Sequence, residues 1–205
     1  MNTTPAPKPI EEPCLLIGEG KEEVRFFTAL LNHLGVQGVQ VEDCAGKRAL
    51  KNYLSAQTVR SGFDHVDSMV IVQDADDDAA GRFASVCEAV RACGLTPPPR
   101  HAEFSVSHPR GGVFIMPDGN RTGMLESLCL DSVADDAVMK CVEEFLACIK
   151  DRCGRTPTPI DKARTHAWLA SREIPDKRLG EAAEAGYWPW NHAAFTGLVE
   201  FLRRI

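Results

Sequence analysis

Short, dense apolar runs alternate along this chain with longer stretches in which apolar residues recur at helical spacing. Cys14–Gly18 (CLLIG) is one such run, ending in Gly-Glu-Gly, and predicts a buried strand. Lys21–Leu34 places Val24, Phe27, Leu30, Leu31 and Leu34 on one helical face, with Gly35 as its stop. Val39–Val41 predicts a second strand and Gly46–Arg60 a second helix. Ser68–Gln73 (SMVIVQ) is the clearest strand, cut off abruptly by Asp74. Ala79–Cys93 predicts a third helix, halted by Gly94 and then Pro97-Pro98-Pro99.

The second half begins with a strand at Gly112–Met116 (GVFIM), closed by Pro117-Asp118-Gly119-Asn120. Met124–Leu130 predicts a short helix and Asp135–Cys153 a longer one; Gly154–Pro159 reads as a turn, with helices at Asp161–Arg172 and about His192–Ile205 beyond it. Strands alternating with helices imply βαβ units and a mainly parallel α/β sheet flanked by helices. The domain reading is a flexible leader at 1–13, an α/β domain at 14–153, and a C-terminal helical extension at 154–205 packed on it.

Polar residues gather just past the strand ends: Glu19, then Asp74 and Asp76, then Asp118. Open α/β sheets bind ligands at those ends, where the strand order switches direction. If the first and third strands are neighbours, Glu19, Glu23, Asp74 and Asp76 converge. The Gly-Glu-Gly-Lys turn is not a P-loop, because Glu22 follows Lys21, and it is not the G-x-G-x-x-G of a dinucleotide loop either. Asp74-Ala75-Asp76 fails as a calcium loop, with Ala79 where glycine is required and Ser85 in place of the closing glutamate. Asp74 and Asp76 are spaced to share one side of an extended segment, while Asp77 or Asp78 suits an N-cap for the following helix. Several carboxylates in one crevice repel unless a cation intervenes, and hard oxygen donors suit Mg²⁺ or Mn²⁺.

Length and charge narrow the function classes. At 205 residues the chain can bury a substantial core, and its net charge of −6 is not that of a non-specific nucleic-acid binder. The charge is uneven: residues from Lys150 onward carry ten Lys/Arg and seven Asp/Glu, so the acidic excess lies with the carboxylate motifs. No apolar run approaches the roughly 18 residues of a membrane span. The N-terminal stretch lacks an apolar signal region, so a cytoplasmic protein is expected. The eight cysteines form no Cys-x-x-Cys pair and are expected to be reduced, mostly buried thiols rather than disulfides or a zinc site. Tyr187-Trp188-Pro189-Trp190 and Phe195 are expected to pack the C-terminal helices onto the sheet rather than to stack on bases. His108 and Arg110 are expected in a loop near the crevice.

Leu16–Glu23 with Val70–Asp76 resembles the Toprim domain shared by topoisomerases, primases, OLD-family nucleases and RecR-type proteins, a Rossmann-like fold. The Glu-Gly-x-x-Glu form at Glu19 and Glu23 is most similar to the OLD family, and Gly112–Leu130 resembles the small stand-alone DUF3226-like proteins. The resemblance implies that Glu19, Glu23, Asp74 and Asp76 bind metal, with Glu19 a ligand or general base. Glu126 would complete the metal shell, and Lys162 would steady phosphate as a catalytic group. A surface glutamate and an exposed helix-start lysine are the plain alternatives for those two. Unlike the OLD pattern, no preceding ATPase domain is expected here, so another means of substrate capture is expected. The function implied is a nuclease-like, metal-dependent enzyme on DNA or RNA, with Arg110 as a second candidate to offset phosphate charge. A non-catalytic module for a protein or nucleotide partner and a metal-dependent phosphatase are the alternatives.

Overall fold

The computed structural model describes residues 8–205. Four strands, β1 (Cys14–Gly18), β2 (Val39–Asp43), β3 (Ser68–Asp74) and β4 (Arg110–Met116), form one sheet in the order β2-β1-β3-β4. Every neighbouring pair is parallel; Leu16 faces Val41 on one side and Val70 on the other. β1 and β3 are buried along their whole length, as strands covered on both faces must be. That is why they read as unbroken apolar runs.

Side chains alternate across the sheet, and each face has its own core. Cys14, Leu16, Val70, Val72, Phe114 and Met116 pack on α1 (Lys21–Leu34) and on helices from the second half of the chain. Those helices are α4 (Leu125–Ser132), α5 (Ala137–Cys153), α6 (Ile160–Leu169), α7 (Leu179–Glu184) and α8 (Thr196–Leu202). Leu15, Ile17, Met69, Ile71, Val113 and Ile115 pack on α2 (Leu50–Gln57) and α3 (Ala79–Ala92). The aromatic residues near the C-terminus are core. Trp168 and Trp188 stack with ring centroids 4.8 Å apart, and Trp190 meets Phe26 edge-on at 5.2 Å.

Several boundaries differ from the sequence reading. Of the leader expected at 1–13, residues 1–7 lie outside the described residues, and the rest is anchored: Ile10 is buried and its N–H donates to Ser61 O at 2.9 Å. The helix expected at 46–60 opens as a 3₁₀ turn at Lys47–Ala49 and ends at Gln57. β4 begins at Arg110, not Gly112. The helix expected at 161–172 ends at Leu169, and the last one is shortened to Thr196–Leu202 after a 3₁₀ turn. Helix α7 has no counterpart in the sequence reading. It is a single short stretch whose Gly180 lies so close to α1 that a Cβ there would sit 2.7 Å from Glu22 O. Of the eight cysteines, Cys14, Cys44, Cys87 and Cys129 are buried, whereas Cys141, Cys148 and Cys153 are exposed on α5. No helix among the described residues is long and apolar enough to cross a membrane.

Candidate functional site

The strand order puts the switch point between β1 and β3, and the site is built on their C-terminal ends. β1 stops at Gly18, and a tight turn carries Glu19 into α1. Glycine is required at 18 because a Cβ there would come within 2.8 Å of Glu23 Cβ. Glu23 folds back over this turn, and its Oε2 accepts the Gly20 N–H at 3.1 Å. Glu19 reaches across to the next strand, where its Oε1 accepts the Asp74 N–H at 2.9 Å. One carboxylate therefore ties the ends of β1 and β3 together.

Asp74 is the last residue of β3 and only 8% exposed. Its Oδ1 accepts the N–H of Leu125, the first residue of α4, at 2.9 Å. Asp76 follows with φ 51°, a left-handed conformation that aspartate tolerates better than most residues. The turn is held by a reciprocal pair of 2.8 Å bonds between the backbones of Asp76 and Gly123. Asp78 caps α3, accepting the Gly81 N–H at 2.9 Å, as one of the two following aspartates was expected to do. On α4, Glu126 forms an ion pair with Lys162 of α6. Next to it Ser127 donates its hydroxyl to Asp161 at 2.5 Å.

Electrostatics set these groups apart from ordinary surface acids. Burial pushes Asp74 up to about 8, helped by the negative charges of Glu19 and Glu23 and opposed by Lys47. Burial likewise raises Glu19 and Glu23 above the usual carboxylate range. Burial acts to lower Lys162, but its hydrogen bond to Glu126 outweighs that and holds it above the ordinary lysine value. The five carboxylates Glu19, Glu23, Asp74, Asp76 and Glu126 thus influence one another across one end of the sheet. Among the described residues, no three acidic, histidine or cysteine side chains form a ready-made ion cage. Each of Glu19, Glu23 and Asp74 instead spends one oxygen on a backbone N–H.

Two cations at the site carry no signal in the local sequence. Lys47, in the loop after β2, makes an ion pair with Asp76 and lies 3.6 Å from Glu19 Oε1. Arg82 of α3 lies 3.3 Å from the same Asp76 oxygen. Strand order brings Lys47 there, because β2 beside β1 carries its following 3₁₀ turn to the acidic end, whereas Arg82 lies six residues after Asp76 in the first turn of α3. The expectation for Arg110 and His108 is corrected. Arg110 opens β4 opposite Ser68, the first residue of β3, and so lies at the other end of the sheet. Its guanidinium sits over the Phe104 ring, 5.0 Å from the centroid, and donates to Arg204 O at 3.2 Å. His108 precedes it at that same end.

Solved structures similar to this chain include the C-terminal region of the Burkholderia pseudomallei OLD protein, at 15% identity and a TM-score of 0.48, covering 95% of this chain and 98% of that one. Two structures of the C-terminal region of the Xanthomonas campestris pv. campestris OLD protein are also similar. They show 13% and 17% identity and TM-scores of 0.46 and 0.45, each covering 94% of this chain and 95% of the other. No curated protein matches the chain. One family matches residues 13–205, nearly the whole length, and the chain belongs to it: DUF3226, described as a protein of unknown function.

Proposed function

We propose that the protein is a Mg²⁺- or Mn²⁺-dependent phosphodiester hydrolase of the Toprim type, acting on DNA or RNA. The observation that carries this reading is the bond from Asp74 N–H to Glu19 Oε1, which fixes two strand-end carboxylates side by side, one of them deeply buried. The donor set fits a hard divalent cation, being all carboxylate oxygen. Formal charge fits as well: Glu19, Glu23, Asp74, Asp76 and Glu126 face Lys47, Arg82 and Lys162, which leaves an excess of two negative charges. Asp74, Asp76, Glu19 and Glu23 would hold the ion, with Glu126 completing the set.

When bound, such a cation supplies Lewis-acid polarisation of a phosphoryl oxygen. The chain's own groups do the rest. Glu19, where it acts as general base rather than ligand, would accept the proton of the attacking water through Oε2, the oxygen not bound to the Asp74 N–H. Lys162, half-exposed at the rim, pairs with Glu126 at rest and turns to a phosphate oxygen when substrate enters. Asp74 keeps its position through the Leu125 N–H whatever its protonation state.

One observation favours a second reading, a non-catalytic module for a nucleotide or protein partner. Lys47 and Arg82 on Asp76, with Lys162 on Glu126, already satisfy part of the acidic charge without an ion. The experiment that separates the two uses the purified chain with labelled single- and double-stranded DNA and RNA in Mg²⁺ or Mn²⁺. The hydrolase reading expects cleavage that is lost, by about a thousandfold, in both Asp74→Asn and Lys162→Ala. Cleavage that survives Asp74→Asn, or is absent from every substrate with either metal, removes it.

A further inference from the structure

Gln73 and Asp74 close β3 side by side, and the alternation of a strand sends their side chains to opposite faces. Asp74 belongs to the carboxylate site under α4, whereas Gln73 looks into the layer of α2 and α3. Gln73 is only 1% exposed, yet its Nε2 has no hydrogen-bond partner among the described residues. Arg82 Nε is a second buried donor in the same state. A buried donor left unpaired costs about 1–3 kcal/mol. Two of them in one place ask for an acceptor.

Both residues line a single cleft between α2 and α3 with a volume of about 620 Å³, within the range of small-ligand sites. Lys47, Arg48 and Lys51 line it too, so four cations face it against one acid, Glu88. In a chain of net charge −6 that concentration runs against the whole. Lys47 and Arg82 also grip Asp76, so the basic cleft opens directly onto the carboxylate site.

We infer that the α2–α3 cleft is a phosphate subsite, which seats a phosphate of the nucleotide unit next to the one held at the carboxylates. Arg48 and Lys51 supply charge at the mouth, and Gln73 Nε2 and Arg82 Nε, both sealed from solvent, reach the phosphate oxygens by turning towards the cleft on binding. The inference rests on the proposed function only in taking that phosphate to belong to the substrate. The cleft gives a net acidic chain a basic surface on which to hold substrate.

The test is binding by the full chain in EDTA, which keeps the outcome independent of metal and of cleavage. The probe is fluorescein-labelled dodecathymidylate, read by anisotropy over a range of salt, with thymidine monophosphate and inorganic phosphate as competitors. Arg48→Glu with Lys51→Glu is expected to weaken binding by about tenfold or more. It should also lower the slope of log Kd against log salt by about 1.4, two single-strand phosphate contacts. Lys150→Glu with Arg152→Glu, exposed on α5, changes net charge equally and should shift Kd by no more than about twofold. Gln73→Leu should weaken binding several-fold while the melting temperature holds or rises, because it removes an orphaned donor. Competition by the mononucleotide at concentrations similar to the strand's would identify a single nucleotide as the ligand. Binding of the strand alone would identify a polymer. Unchanged Kd and slope in the Arg48/Lys51 variant, or an equal loss in the α5 control, overturns the subsite. Absence of cleavage with this binding pattern intact removes the hydrolase and leaves the subsite standing.

Discussion

Glu42 and Asp74 are both acids at the C-terminal ends of strands in one sheet, and their surroundings treat them in opposite ways. Glu42, on edge strand β2, is bound by the Arg60 guanidinium through both oxygens at 2.7 and 2.9 Å, by Gln40 at 2.7 Å and by the Tyr53 hydroxyl. Burial works to raise it, but these donors prevail and hold it down to about 2. Asp74 has one backbone N–H and a set of acidic neighbours, and stands at about 8. The first acid is saturated by donors that the fold itself supplies. The second is buried among its own kind. Such a carboxylate favours its protonated form.

The largest expected effect is the opposite pH dependence of the two regions. Asp74 has a folded-state value raised above its unfolded one, so the stability it contributes is full below about pH 4 and is lost as pH rises towards 8. Glu42 has a depressed value, so its contribution is present above about pH 4.5 and is lost as pH falls through 2. In metal-free buffer, urea unfolding should show stability falling between pH 5 and 8 by about 1 kcal/mol per unit. Asp74→Asn mimics the protonated acid and should flatten that fall while leaving the acid limb alone. A wild-type profile flat from pH 5 to 8 would mean that Asp74 ionises freely and that the contrast between the regions is wrong.

Metal sharpens the same contrast. A divalent cation that binds only the folded state at a hundredfold excess over its Kd stabilises by about 2.7 kcal/mol. For a chain of this length that is a melting shift of about 5–10 °C. The shift should grow with pH, because bound metal displaces the Asp74 proton, and vanish in Asp74→Asn. Glu42→Gln should respond to metal as the wild type does. Equal metal responses in wild type and Asp74→Asn would leave the acidic cluster without a cation and favour the non-catalytic module.

Part of this contrast was legible in the sequence and part was not. Glu19 and Asp74 stood out because each interrupts a run that is apolar for burial on two faces, and the parallel order then set them side by side. The partner of Glu42 was invisible, since Arg60 lies 18 residues away and reaches it only through the packing of α2. Lys47, 29 residues from Asp76, was hidden for the same reason; Arg82 lies only six residues from Asp76, but no motif marks it. Arg110 was misplaced because the apolar run of β4 starts two residues inside the strand, which disguised the strand's first residue as loop. Helix α7 escaped because it is only six residues long and buries one large side chain, Leu179, beside the small Gly180, Ala182 and Ala183, too little for a helical period to stand out. Patterns inside an element survive in sequence. Pairings across elements depend on register and appear only once the sheet is assembled.

Glu42→Gln should lower stability by about 2–3 kcal/mol at pH 7, because it strands the Arg60 guanidinium, whose side chain is only 6% exposed. The figure is below that for a fully buried pair because Glu42 itself keeps 23% of its side-chain surface in contact with solvent. The neutral Asp74→Asn, by contrast, should leave stability unchanged or raise it at that pH. Two neutralisations of acids on one sheet would then differ in sign. Equal losses from both would show that Asp74 is paired as well as Glu42.

The smallest effect probes how redundant the saturated acid is. Tyr53→Phe removes the hydroxyl donor to Glu42 and leaves Arg60 and Gln40 in place. One hydrogen bond among several, with the ion pair intact, is worth about 1 kcal/mol. Its loss should also let Glu42 rise from about 2 towards its ordinary value, which moves the acid limb of the stability profile to higher pH. The alkaline fall that belongs to Asp74 should not move, because Tyr53 packs in the α2–α3 core on the opposite face of the sheet from the α4 contact of Asp74. A shift of both limbs together would mean that the two regions are coupled through β1, and that Glu42 takes part in setting the charge of the site.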